Sequence, residues 1–125
     1  MPRSIHCFRR LREVRMEAVG IVLNIGDEHV EAFERGFREH EYKVWEDYVS
    51  QGVMLHATLT KMSISTVPRS GVTQYLISVT FADERGHHLH DDDPRFQAWN
   101  GIADTYQVAS PIVTGGEIVL SAGVG

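Results

Sequence analysis

Residues 53–62 read Val53-Met54-Leu55-His56-Ala57-Thr58-Leu59-Thr60-Lys61-Met62, and the alternation in this run decides the fold. Val53, Leu55, Ala57 and Leu59 share one parity, and Met54, His56, Thr58, Thr60 and Met62 share the other. Successive side chains of a strand point to opposite faces. The stretch 53–65 therefore predicts a strand with one apolar face and one mixed face. Pro68, Ser70 and Gly71 punctuate a turn after it. Thr73 to Ala82 then puts Tyr75, Ile77, Val79 and Phe81 on one face, so the two runs predict an antiparallel hairpin with a long tip.

Helical periodicity flanks the hairpin on both sides. Upstream, residues 28–50 carry Val30, Phe33, Phe37, Val44 and Tyr48 at three- and four-residue steps, which predicts one long helix closed by Gly52. Between Phe37 and Val44 the apolar stripe passes through His40 or Glu41, both polar. Downstream, Asp93 is an expected N-cap and Pro94 an expected first helical residue. Phe96, Trp99, Ile102, Ala103 and Tyr106 supply that helix's stripe, and Pro111 marks its end.

A strand opens the chain and another closes it. Val19, Ile21, Leu23 and Ile25 alternate within Ala18–Ile25, with Asp27 an expected helix N-cap beyond Gly26. Residues 112–121 form the last strand, expected to kink at Gly115 and Gly116. The order is strand, helix, two strands, helix, strand. This is the ferredoxin-like βαββαβ arrangement of an α+β protein with a four-stranded antiparallel sheet. Two helices cover one face of such a sheet. The mixed face needs another cover, and a second copy of the chain is the simplest, which predicts a homodimer.

Composition limits what the chain does. It has 125 residues, enough for one domain with one core. The first fifteen residues hold five arginines and one glutamate, leaving seven basic and sixteen acidic residues in the body. Residues 1–15 read as a flexible basic tail and residues 16–125 as a single domain. So acidic a body argues against a nucleic-acid partner. No apolar run is long enough to cross a bilayer, so no membrane partner is expected. The single Cys7 fits a reducing compartment, and a cytoplasmic location is expected. Nucleotide-binding glycine motifs, a serine nucleophile elbow and a zinc-helix motif are all missing from the sequence. The run His87-His88-Leu89-His90-Asp91-Asp92-Asp93 is dense in metal-ligand types, but the residues are contiguous and no second cluster supports them. We expect a solvated loop there rather than a metal site.

The chain resembles the dimeric α/β-barrel superfamily over roughly residues 16–122. The resemblance is carried by Leu23-Asn24-Ile25 at a strand end, by Phe33, Phe37 and Trp45 on the first helix, and by Gly52-Val53. Asp92-Asp93-Pro94-Arg95-Phe96-Gln97-Ala98-Trp99, before a helix bearing Tyr106, also belongs to the pattern. Within the superfamily it is nearest to RedY-like proteins of pigment and bisindole pathways, then to antibiotic-biosynthesis monooxygenases. The resemblance implies an enzyme of secondary metabolism that needs no cofactor. It would catalyse acid–base cyclisation, dehydration or isomerisation of a small apolar, aromatic or polyketide-like intermediate. The alternatives are a cofactor-free monooxygenase acting on a phenol, and a non-catalytic protein that binds a small ligand or haem.

Polar residues interrupting the apolar stripes are the expected site. His40 is the expected acid or base and His56 its counterpart, because imidazole exchanges protons near neutrality. Tyr42 would hold a developing oxyanion. Trp45, Trp99 and Tyr106 would stack on a flat substrate, Arg38 would bind a carboxylate or phenolate, and His87, His88 or His90 would line the pocket mouth.

Overall fold

A computed structural model of the protein describes residues 15–123. Four strands form one sheet: β1 (Glu17–Gly26), β2 (Met54–Lys61), β3 (Val72–Phe81) and β4 (Gln107–Glu117), in the order β2-β3-β1-β4. Every neighbouring pair is antiparallel. Four helices accompany them: α1 (Val30–Glu39), α2 (Glu41–Ser50), α3 (Gly86–Asp91) and α4 (Pro94–Asp104). The expected ferredoxin-like order stands, with two refinements on the helical side.

The first is a break at His40. The expected helix over 28–50 is two ten-residue helices. His40 lies between them at φ −117°, ψ −73°, well outside ordinary helical values. The break turns the stripe, so that the residue following Phe37 and Trp45 into the interior is Glu41, 4% exposed, while His40 faces solvent. The second is α3, which stands where a loop was expected. Asp27 also differs from expectation. It makes no side-chain cap and instead accepts a hydrogen bond from Thr73 Oγ1 at 2.8 Å.

The core lies between the sheet and α1, α2 and α4. Ile25, Phe33, Met54 and Tyr75 are essentially without exposure. Met54 has the opposite parity from Ala57 and Leu59, yet all three pack on the core side. A register shift between Met54 and His56 accounts for this. The extra residue, Leu55, is a bulge that reverses the alternation of β2 and leaves Leu55 43% exposed. His56, Thr58 and Thr60 then pair with Thr80, Ser78 and Leu76 on the face away from the helices.

β4 begins at Gln107 rather than 112, and its irregularity lies opposite Val22–Ile25, not at Gly115 and Gly116. Pro111 sits inside this strand. A strand proline is tolerated there because β4 is an edge and needs no second set of ladder bonds. Among the described residues no helix is long and apolar enough to cross a membrane.

Candidate functional site

A cavity of about 780 Å³ lies between the helix-facing side of the sheet and the helices. Val19, Ile21, Val79 and Val113 form its sheet wall, and Phe37, Trp45, Phe96 and Trp99 its helical wall. The walls follow from the two periodicities: odd residues of β1 and β3 face the same way as the inner stripe of α1, α2 and α4. An apolar chamber of this size suits a small organic ligand.

Polar groups enter the chamber at defined places. α3 brings two, His87 and His90, which sit one turn apart on one face of the helix. The helix approaches the sheet this closely because it begins with Gly86, where a Cβ would fall 2.5 Å from the Phe81 ring. His87 Nδ1 meets Glu17 Oε1 of β1. His90 Nε2 lies 2.7 Å from Glu41 Oε2, and His90 Nδ1 lies 3.0 Å from Asp91 Oδ1.

The Glu41–His90 pair is the chemical centre of the chamber. Both side chains are buried. A carboxylate only accepts hydrogen bonds, so a ring flanked by two of them is best satisfied with both nitrogens protonated. Burial alone pushes His90 toward the neutral form. The hydrogen bond and charge of Glu41, then those of Asp91, outweigh burial and hold its pKa above the usual histidine value. The other Glu41 oxygen, Oε1, is buried without a hydrogen-bond partner, and Glu41 belongs to the cavity lining. A carboxylate held in place through one oxygen therefore leaves its second oxygen free to take a proton.

Neighbouring contacts fix this arrangement. Asp93 caps α4 by accepting from the Arg95 backbone N–H at 2.8 Å. Its other oxygen accepts from Tyr48 Oη of α2 at 2.9 Å and from the Arg95 guanidinium at 3.0 Å. Arg95 also binds Asp47 of α2. Tyr48 Oη further meets the Leu89 carbonyl at 3.2 Å. Thus α2, which starts with Glu41, and α3, which ends with His90 and Asp91, are tied to one corner.

Of the residues expected from sequence, Trp45, His90 and Trp99 line the cavity, but His40, His56, Tyr42, Arg38 and Tyr106 do not. His40 stacks on Trp99 with ring centroids 5.6 Å apart, on the solvent side because of the helix break. His56 lies on the face of β2 away from the helices because of the β2 bulge. Tyr42 and Arg38 are exposed, and Tyr106 packs its ring against His29 at 5.2 Å. Glu41, Glu17 and Gln107 were not singled out as site residues, and His87 was expected only as one of three histidines near the pocket mouth. For Glu41 a signal existed, a carboxylate on an apolar stripe. Among the described residues no cluster of histidine, cysteine and carboxylates is arranged to hold a metal ion.

No protein-family model matches the chain, and no curated protein is similar to it in sequence. Solved structures do match. One from Nitrosomonas europaea, assigned by name only provisionally to the antibiotic biosynthesis monooxygenases, has 9% identity and a TM-score of 0.69, and the match covers 88% of this chain and 96% of that one. One from Caulobacter crescentus, with the same provisional name, has 18% identity, a TM-score of 0.67 and coverage of 92% and 100%. A dimeric ferredoxin-like protein from an uncultured marine organism has 9% identity, a TM-score of 0.70 and coverage of 89% and 94%. The chain is therefore a ferredoxin-like α+β protein built around a chamber between sheet and helices. Solved structures that share its fold include some named as antibiotic biosynthesis monooxygenases and some described as dimeric ferredoxin-like proteins. At these identities the likeness is one of fold.

Proposed function

We propose that the protein is an oxygenase-type enzyme that deprotonates a small hydroxylated aromatic compound in the cavity and delivers it to dioxygen. The observation that carries this reading is the buried Glu41–His90 pair with its free Glu41 Oε1, beside the aromatic and aliphatic walls of the chamber. Names of the structural neighbours support the oxygenase over the cyclisation expected first from the sequence.

In this reading Glu41 Oε1 accepts the phenolic proton. The His90 imidazolium orients Glu41 through Oε2 and offsets the negative charge left on the substrate, a form of electrostatic stabilisation that gains strength in a dry site. Trp45 and Trp99 hold the ring plane. For a hydroxyaryl methylene, one methylene group and one dioxygen give one ketone carbonyl and one water. A carbon–oxygen bond forms, the oxygen–oxygen bond breaks, and both methylene hydrogens leave in the water. The carbon is oxidised and dioxygen is reduced, so no further reductant is needed. Pairing through the sheet face that carries His56 would give the homodimer, and two structural neighbours are described as dimeric.

Oxygen uptake during turnover of anthrones and naphthols tests the proposal. Wild-type protein should consume one dioxygen per product, and Glu41→Gln should lower the rate by about 10²-fold or more with the fold intact. Product formed at the same rate without oxygen would instead point to acid–base cyclisation or isomerisation at the same pair. Full activity in Glu41→Gln would overturn both.

A further inference from the structure

Two buried side-chain atoms lack a hydrogen-bond partner among the described residues, Glu41 Oε1 and Gln107 Oε1. Both residues belong to the wall of the same cavity. Glu41 opens α2, whereas Gln107 opens β4, so the two atoms are supplied by separate elements. A buried acceptor left unpaired is costly, and a fold that keeps two on one chamber is matched by a ligand bearing donors.

Gln107 is an acceptor toward the cavity for a definite reason. The oxygen and nitrogen of an amide are assigned from their partners. Its Nε2 donates to Asp104 Oδ1 at 3.0 Å. A carboxylate cannot donate, so the amide nitrogen must take that side and the oxygen must take the other. Asp104 thereby sets the polarity that Gln107 presents. Ile21 and Val113 of the same lining carry no hydrogen-bonding side chain, whereas Asn100 and Thr114, also in that lining, do.

We infer that the cavity selects an aromatic ligand with two separated hydroxyl groups, one donating to Glu41 Oε1 and the other to Gln107 Oε1. The inference rests on the cavity being the substrate site, and it adds Gln107 as a specificity residue and Asp104 as the residue that positions it. A monohydroxy analogue, or a diol with one oxygen methylated, leaves the second acceptor buried and unpaired.

Binding can be read without turnover, from quenching of Trp45 and Trp99 fluorescence under nitrogen. The probes are a set of naphthalenediols with different hydroxyl spacings, each paired with its two monomethyl ethers. At least one diol should bind about tenfold or more tightly than either of its ethers, the discrimination expected when a buried polar group loses its partner. In Gln107→Leu that ratio should collapse toward one. Asp104→Asn, at an exposed position that a fold tolerates, frees the amide to turn its nitrogen inward and should also narrow the ratio. Circular dichroism establishes that each variant is folded.

Diols and ethers that bind equally well would overturn the two-hydroxyl inference while leaving a phenol site at Glu41 standing. Preference for the diol that survives unchanged in both variants would remove Gln107 from the assignment and overturn it too. Failure of every naphthol and diol to bind would overturn it together with the proposed function.

Discussion

The edge of the Trp99 ring of α4 sits against the backbone of α1 at Gly36. A Cβ built at Gly36 would fall 2.3 Å from the edge of the Trp99 six-membered ring. This contact sets how close the two helices come, and Trp99 forms the cavity wall on its other side. Gly36→Ala would gain about 1 kcal/mol of helix propensity. The forced displacement of Trp99 should outweigh it, with overpacking costs of about 1–3 kcal/mol beyond the gain. Urea titration should show a lower midpoint than wild type. A higher midpoint would mean that α4 yields without cost.

A second expectation concerns pH. Glu41 and Asp91 hold the His90 pKa above its ordinary value against the effect of burial. The stabilisation that the charged ring gains is complete below the unfolded histidine pKa and is lost as pH rises through the folded one. If the imidazolium offsets substrate charge, kcat falls on the alkaline side through that same raised pKa. Asp91→Asn removes one raising partner, so the alkaline limb should move to lower pH. Rate–pH profiles of the two proteins test this. An unmoved or upward-shifted limb would separate the limb from His90.

The Asp93 corner should dominate acid stability. The Arg95 guanidinium first, then the Arg95 backbone N–H and Tyr48, hold the Asp93 carboxyl well below the usual carboxylate range against the opposing effect of desolvation. Its contribution is present above the unfolded value of 3.8 and is lost as pH falls from there toward the depressed folded value. Asp93→Ala should cost about 1–2 kcal/mol at pH 7, as for a lost N-cap. The gap between wild type and variant should shrink in melts below pH 3. A gap independent of pH would mean that the cost is packing alone.

Much of the fold was legible because it follows from two periods. The alternation in β1 and β3 and the start of α4 at Asp93 and Pro94 survive in the structure, and of the α4 stripe Trp99 and Ala103 are buried while Ile102 is exposed and Tyr106 lies past the helix end. The site was less legible because each miss depends on a one-residue event. The break at His40 exchanges His40 for Glu41 at the cavity, and the stripe alone admitted either. The bulge at Leu55 sends His56 to the other face, and periodicity cannot show an inserted residue. The polar run after Asp83 looked like a solvated loop because α3 has only six residues and hardly any apolar stripe. Its buried face is polar, and its partners Glu17 and Glu41 are distant in sequence.

The bulge in β2 makes that strand read in two frames. Met54 points inward before Leu55, and Ala57 and Leu59 do after it. Substituting the exposed Leu55 by alanine should change stability by less than about 1 kcal/mol, as at most surface positions. Deleting it should be far worse in a thermal melt, because either Met54 or the pair Ala57 and Leu59 must leave the core. The length of this strand is thus under tighter constraint than the identity of the residue that sets it.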